Sequence, residues 1–294
     1  MTIGSGGVFK QYVSCRLVGL VAIHLHTVDA VHDIYNTERM NTYKAVIGDC
    51  ISALSRAVIP ATSLVDNCRI LMYHAVGTDV PGDTQQLYNM PLKTFRLQIE
   101  HLAHLQQSGA ICVRDLNGGI ETSSGLVITF DDGYLDNLTV AAPVLIKHGF
   151  PFTVFIAPQL VLRGDPRYLS ITNIKELSML PGVTIGGHGY SHRRLTDLDD
   201  QALTNELLDS KSWLEDIIQK PVATMSYPHG AVDERVKNFV AETGFKTATS
   251  SRFGVFNYEA SQLSVPRTDV WAKDNATRFK SKLSGAWDWM SHLR

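Results

Sequence analysis

From Arg69 onward the chain alternates short apolar runs with stretches of helical spacing, and this alternation limits the fold more than any other feature. Ile70-Leu71-Met72-Tyr73, Leu126-Val127-Ile128-Thr129-Phe130 and Val183-Thr184-Ile185 read as strands, as do residues 152–157, 222–227, 246–250 and 263–265. Between them, residues 94–108 place Phe95, Ile99, Leu102 and Leu105 on one helical face, with Gly109 as the stop. A helix after Asp132 runs to Gly149, with Pro143 near its first turn or at a kink. Thr172 caps a short helix ending at Pro181-Gly182. Residues 199–220 predict a long helix with Leu203, Leu207, Leu214 and Ile217 inward and charges outward. Helices over 233–243 and about 275–292 complete the pattern. Strand alternating with helix in this way predicts an α/β fold of parallel βα units, most simply a barrel.

Residues 1–65 lack that rhythm and are read as an N-terminal extension, with the barrel over 66–294. The opening Thr2-Ile3-Gly4-Ser5-Gly6-Gly7 has the composition of a flexible segment. Ala45, Val46, Ile51, Leu54 and Val58 recur at helical spacing up to Pro60, which predicts one helix over 43–59. Met40 is a candidate alternative start. The apolar run 17–23 is too short to span a bilayer and is interrupted by His24 and His26.

With 294 residues, 44% of them hydrophobic, the chain can bury a sizeable core. A net charge of −2, with its lysines and arginines scattered, argues against a nucleic-acid partner. Cys15, Cys50, Cys68 and Cys112 form no Cys-x-x-Cys pair and read as ordinary thiols. A reducing compartment, with the cytoplasm as the default, is therefore expected.

Polar residues stand at or just past the ends of the apolar runs: His74, Asp131 with Asp132, His188 with His192, His229 and Arg267. In a parallel barrel the C-terminal ends of the strands open on one face, so these distant residues would converge there. Adjacent carboxylates repel, and a cation relieves them if one acid ligates it while the other stays free to take a proton. A solvated Asp-Asp-Gly turn is the alternative. His188-Gly189-Tyr190-Ser191-His192 puts two imidazoles four apart, and its glycines argue for a loop. Joined to Asp132, the pair supplies three ligands and leaves a position open to water, as catalytic metals require.

Thr129-Phe130-Asp131-Asp132-Gly133-Tyr134 together with His188-x-x-x-His192 resembles the NodB-type polysaccharide deacetylases, carbohydrate esterase family 4, from about residue 70 to the C-terminus. The resemblance implies a distorted (β/α)7 barrel, here with the helical extension in front. It implies Asp131 as general base and Asp132, His188 and His192 as ligands of a divalent ion, zinc foremost, with cobalt, nickel, iron or manganese also compatible. Tyr227-Pro228-His229-Gly230 resembles the family's Arg-x-Pro-Tyr motif with two departures. Ser226 stands where the arginine would be, and His229 replaces the tyrosine, whose backbone N–H serves the oxyanion. Arg267 is the candidate to orient Asp131 in place of that arginine, with a surface ion pair as the alternative.

The family's general acid comes from a late Leu-x-His motif, yet the one late histidine here, His292, sits badly for it. Leu71-Met72-Tyr73-His74 instead resembles the permuted branch typified by poly-N-acetylglucosamine deacetylases, so His74 is the expected acid. Trp271 is a candidate for a sugar-binding wall, with a packed core tryptophan as the alternative. His24, His26, His101, His104 and His148 read as incidental.

These readings imply a hydrolase that removes N-acetyl groups from an amino-sugar polysaccharide or glycan precursor. An O-acetyl esterase or small-amide metal hydrolase, and an inactive glycan-binding barrel, are the alternatives. The implied partner is a glycan bearing an N-acetylated amino sugar, with no nucleic acid and no firm sign of membrane insertion.

Overall fold

The computed structural model describes residues 68–116, 120, 125–257 and 260–292. The expected extension over 1–65, with its helix, its apolar run and Met40, lies outside the described residues. The chain enters at β1 (Cys68–Tyr73), followed by α1 (Leu92–Gln107), β2 (Val113–Arg114) and β3 (Gly125–Phe130). A π-helical turn, Asn137–Ala141, leads into α2 (Ala142–Lys147), then β4 (Phe152–Ile156), α3 (Pro158–Leu162), α4 (Ile171–Met179) and β5 (Val183–Gly187). Next come α5 (Asp200–Ile218), β6 (Thr224–Ser226), α6 (Glu234–Glu242), β7 (Thr247–Thr249), β8 (Thr268–Asp269) and α7 (Ala276–Leu283).

The strands form one parallel sheet in the order β7-β6-β5-β4-β3-β1-β8, with β2 paired to β3 off this path. The sheet curls with helices around it, as a distorted (β/α) barrel does. Its ends, β7 and β8, are joined through the segment leading into β8, by a parallel bridge from Thr249 to Val265 and the backbone hydrogen bonds of Ala248 and Ser250 with Val265.

Side-chain alternation divides each strand between two environments. On β1 and β3, Leu71, Tyr73, Leu126, Ile128 and Phe130 face the main core under the helices. Cys68, Ile70 and Val127 face a smaller cluster inside the curl, with Phe155 and Val265. Both faces are buried, so these strands read as continuous apolar runs rather than alternating ones. The interior face continues along β3 from Val127 to Thr129 to Asp131, and along β1 from Ile70 to Met72 to His74. The site therefore grows out of the barrel interior at the C-terminal ends of the strands. Among the described residues no helix is long and apolar enough to cross a membrane, and Cys68 and Cys112 are free thiols.

Several boundaries move. The cap of α4 is Ser170, not Thr172, because Ser170 and Asn173 form a reciprocal capping box. The strand expected at 263–265 is one isolated bridge; the paired strand is Thr268–Asp269, whose polar side chains hide it from an apolar-run search. The closing helix stops at Leu283, and a 3-10 segment, Asp288–His292, follows beyond Gly285. Pro143 falls in the first turn of α2. On α5 one charge is not outward, since Glu206 is buried beside Leu203 and Leu207.

Candidate active site

At the C-terminal ends of the strands lies a cavity of about 730 Å³. Its lining brings together His74, Asp131, Asp132, His188, His192, Tyr227, His229 and Arg267. The convergence expected of strand-end residues is therefore met.

Asp131 and Asp132 are neighbours in sequence but part company in space. Asp131 ends the extended run, whereas Asp132 and Gly133 adopt left-handed backbone, with φ of 75° and 72°. Gly133 is needed twice over there. Its φ suits glycine, and a Cβ would lie 3.2 Å from Cγ1 of Ile156. This reversal sends the two carboxylates to different partners.

Arg267 holds Asp131. Its Nη1 donates to Oδ1 at 2.7 Å and its Nη2 to Oδ2 at 2.6 Å, in a fork that fits a carboxylate. Nη2 also donates to Ser226 Oγ at 2.8 Å, Nη1 to Thr129 Oγ1 at 3.2 Å, and Nε to the Ser250 carbonyl at 2.9 Å. Arg267 is 1% exposed, so the surface ion pair is excluded. A small Ser226 leaves room for a guanidinium that arrives from β8. Burial alone would raise the Asp131 pKa; the Arg267 charge and hydrogen bonds outweigh it and hold the carboxyl below its ordinary value.

Asp132 faces the histidines. Its Oδ1 lies 3.4 Å from His188 Nε2 and 3.1 Å from His192 Nε2, and one ligand atom from each residue falls within 4.8 Å of the others. Oδ1 is buried and has no aligned hydrogen-bond donor. His188 is fixed from behind, with its backbone N–H donating to the Ile156 carbonyl and Nδ1 2.8 Å from the Ser226 carbonyl. With Nδ1 as the donor there, Nε2 presents its lone pair forward. A buried acceptor without a donor, faced by two imidazole nitrogens, suits a divalent cation. Burial again opposes charge on Asp132, yet the imidazoles hold its carboxyl well below the usual range. His192 responds in the matching sense: burial lowers its pKa, and the Asp132 contact more than reverses that.

His74 lies just past β1 with its ring 4.3 Å from that of Tyr88. The π turn fixes the backbone here. Asn137 Nδ2 donates to the His74 carbonyl at 2.8 Å, and Asp136 accepts the backbone N–H groups of Val76 and Thr78. His74 Nδ1 is buried without a partner. His229 has φ 57° and lies next to His192, with ring centroids 4.7 Å apart.

A family model for polysaccharide deacetylases matches residues 120–248, which contain both the Asp-Asp and the His-His motifs. The chain carries a domain of the polysaccharide deacetylase family. This domain is similar to YxkH of Bacillus subtilis strain 168, a protein classed with the polysaccharide deacetylases, at 26% identity over 208 residues, 68% of this chain and 70% of that one. The fold is similar to that of a polysaccharide deacetylase from Bacillus cereus, with TM-score 0.62, 25% identity and coverage of 74% and 69%. It is similar again to the deacetylase PplD of Streptococcus pyogenes, with TM-score 0.63, 21% identity and coverage of 74% and 98%.

Two expected members of the deacetylase site have other duties. Trp271 does not line the cavity; it packs edge-on against Trp287, with the Lys282 ammonium 3.6 Å from its ring centroid. Tyr227 lines the cavity, but its hydroxyl donates to the Leu263 carbonyl at 2.8 Å. Two residues of the deacetylase domain were missed from sequence. Asp269, two positions past Arg267 and on the same strand face, is 2% exposed, lines the cavity and leaves Oδ1 without a partner. The signal for it was the Arg-x-Asp spacing. Glu206 was detectable as an acid on the Leu203–Leu207 stripe.

Proposed function

We propose that this protein is a metal-dependent deacetylase that hydrolyses N-acetyl groups of an amino-sugar glycan. The observation that carries the reading is the division of labour between adjacent aspartates. Asp132 meets His188 and His192 within ligand distance of one another, while Asp131 is clamped by Arg267 and kept ionised. An ion held by Asp132, His188 and His192, zinc foremost, would polarise the acetyl carbonyl and acidify a water.

The remaining chemistry falls to the chain's own groups. Asp131 accepts a proton from the attacking water as its oxygen bonds to the acetyl carbon. The His229 backbone N–H, at the cavity wall, is the donor offered to the oxyanion. His74 then gives a proton to the sugar nitrogen as the C–N bond breaks, releasing acetate and a free amine. A leaving amine needs that proton more than a leaving alcohol does, so an acid at His74 favours amide over ester hydrolysis. The Arg267 clamp also weighs against a barrel that only binds glycans, because such a barrel has no use for a preorganised base.

The test is acetate release from N-acetylglucosamine oligomers and from an O-acetylated glycan, with and without chelator. Release from the N-acetylated substrate, lost on chelation and restored by zinc or cobalt, is expected. Asp131→Asn should abolish turnover and leave ion binding intact. Chelator-resistant turnover, or turnover surviving Asp131→Asn, would overturn the assignment.

A further inference from the structure

The loop that carries the two histidines is held by a carboxylate from another element. Glu206, on the inward face of α5, is 9% exposed. Its Oε2 accepts the backbone N–H groups of Tyr190 at 2.7 Å and Ser191 at 2.9 Å, and its Oε1 accepts the Ser191 hydroxyl. All three donors come from Tyr190 and Ser191, two of the three residues between His188 and His192. From the other side, the N-terminus of α3 ties the same loop down, with Gln159 N–H donating to the Tyr190 carbonyl at 2.9 Å.

The loop has reason to need such a clamp. His192 sits in left-handed backbone at φ 61°, a conformation disfavoured for any residue with a Cβ. The His188 ring is anchored by a hydrogen bond to Ser226, whereas the hydrogen bond between His192 and His229 runs through the His192 carbonyl; the His192 ring itself packs between those of His188 and His229 with Nε2 toward Asp132. The position of the second imidazole is thus set by the backbone that Glu206 holds. Gly189 fits the same account. At φ 63°, a Cβ there would lie 3.2 Å from Glu206 Oε2 and 3.2 Å from Pro228 Cγ, so the clamp closes only on a glycine.

We infer that Glu206 is a positioning residue that preorganises His192 for the ion shared with Asp132 and His188. The inference rests on the function proposed above. Without the clamp the loop relaxes and the second imidazole leaves its place, so binding must first restore the three-ligand arrangement and the ion is held more weakly. Outer-shell partners of metal ligands typically account for about 10–100-fold in affinity.

The experiment uses full-length, chelator-treated protein titrated with Zn²⁺ against a chromophoric competitor, for the wild type, Glu206→Gln and Ser191→Ala. Glu206→Gln should weaken Zn²⁺ binding about 10–100-fold, and Ser191→Ala, which removes one of three donors, by less. At saturating Zn²⁺ both variants should regain wild-type kcat with unchanged KM, because occupancy rather than chemistry was lost. A residue that only stabilised the fold would lower the melting temperature of the metal-free protein and leave the Zn²⁺ affinity of folded molecules alone; that result overturns the inference. Should Glu206→Gln fail to fold, Ser191→Ala decides, and wild-type affinity there overturns it equally. Wild-type protein that takes up no Zn²⁺ would bring down the proposed function together with this inference, whereas equal binding by wild type and variants brings down the clamp alone.

Discussion

Replacing Arg267 with methionine keeps an unbranched apolar stem and removes the guanidinium that holds Asp131. Both members of the pair are buried, with side-chain exposures of 1% and 5%, and the contact is a two-pronged fork. Deleting one partner of such a pair leaves an uncompensated charge in the interior and typically costs about 3–5 kcal/mol of folding stability. Three further hydrogen bonds from the same guanidinium, to Ser226, Thr129 and Ser250, are lost as well. The pH dependence then identifies the cause. In the wild type the Asp131 carboxyl is held below its ordinary value, so its stabilising contribution is present above the unfolded pKa and disappears as pH falls through the lower, native one. In the variant, burial acts with much less opposition and raises that pKa, so acid favours the fold by protonating the stranded carboxyl. Urea unfolding of chelator-treated protein should therefore show a stability gap between wild type and variant that is wide at pH 7 and narrows towards pH 4. The acid limb of kcat/KM should move to higher pH, with turnover down by about 10²-fold or more from misplacement of the base. Arg267→Lys should recover part of the charge effect but not the fork. A gap that does not change with pH, or an acid limb that stays where it was, would refute the assignment of Arg267 as the partner that tunes Asp131.

Further outcomes follow from the same geometry. His74→Gln should lower turnover by about 10²–10⁴-fold; if His292→Ala does this instead, the acid has been misplaced. Lys282 is fully buried, with its ammonium 2.6 Å from Asp274 Oδ2 and 2.8 Å from the Asp269 carbonyl. Lys282→Met should therefore cost about 3–5 kcal/mol in urea unfolding, and adding Asp274→Asn should recover much of it. A double variant no better than the single would show that the lysine acts through its packing among Trp271, Trp287 and Phe253 rather than through its charge.

What was legible in the sequence follows from what a buried strand does to composition. Strands covered on both faces turn into runs of apolar residues, so β1, β3 and β4 could be seen directly, and the polar residues that end such runs marked the mouth of the barrel. The same logic hid β8. Thr268 and Asp269 are paired and buried, yet nothing in their hydrophobicity separates them from a loop. The cavity side of a barrel mouth is made of polar side chains that the fold keeps from water, and apolar-run searches pass over them. For Trp271 the packed alternative describes the geometry: its face meets the ammonium of Lys282, whose full burial nothing in its residue type signals.

Buried charge is the common thread, and it divides by where it points. Asp131, Arg267, Asp269, Glu206 and Lys282 are all within 9% of full burial, and each would be costly without partners. Asp131 and Arg267 satisfy each other at the cavity wall. Glu206 takes its donors from the histidine loop, one step behind the wall, and Lys282, which does not line the cavity, is satisfied by Asp274 and the Asp269 carbonyl. Burial of an ionisable group alone therefore does not mark a site in this chain. The backbone supplies the second mark. Among the described residues five that are not glycine have positive φ, and three of them, Asp132, His192 and His229, stand at the cavity. Left-handed backbone at residues with side chains persists only where surrounding contacts over-determine it, and here those contacts are the fork on Asp131, the carbonyl of Ser226 behind His188 and the three donors gathered by Glu206. The ligand cluster is thus held by groups that never touch its centre, which is why spacing in the sequence could name the ligands but not their supports.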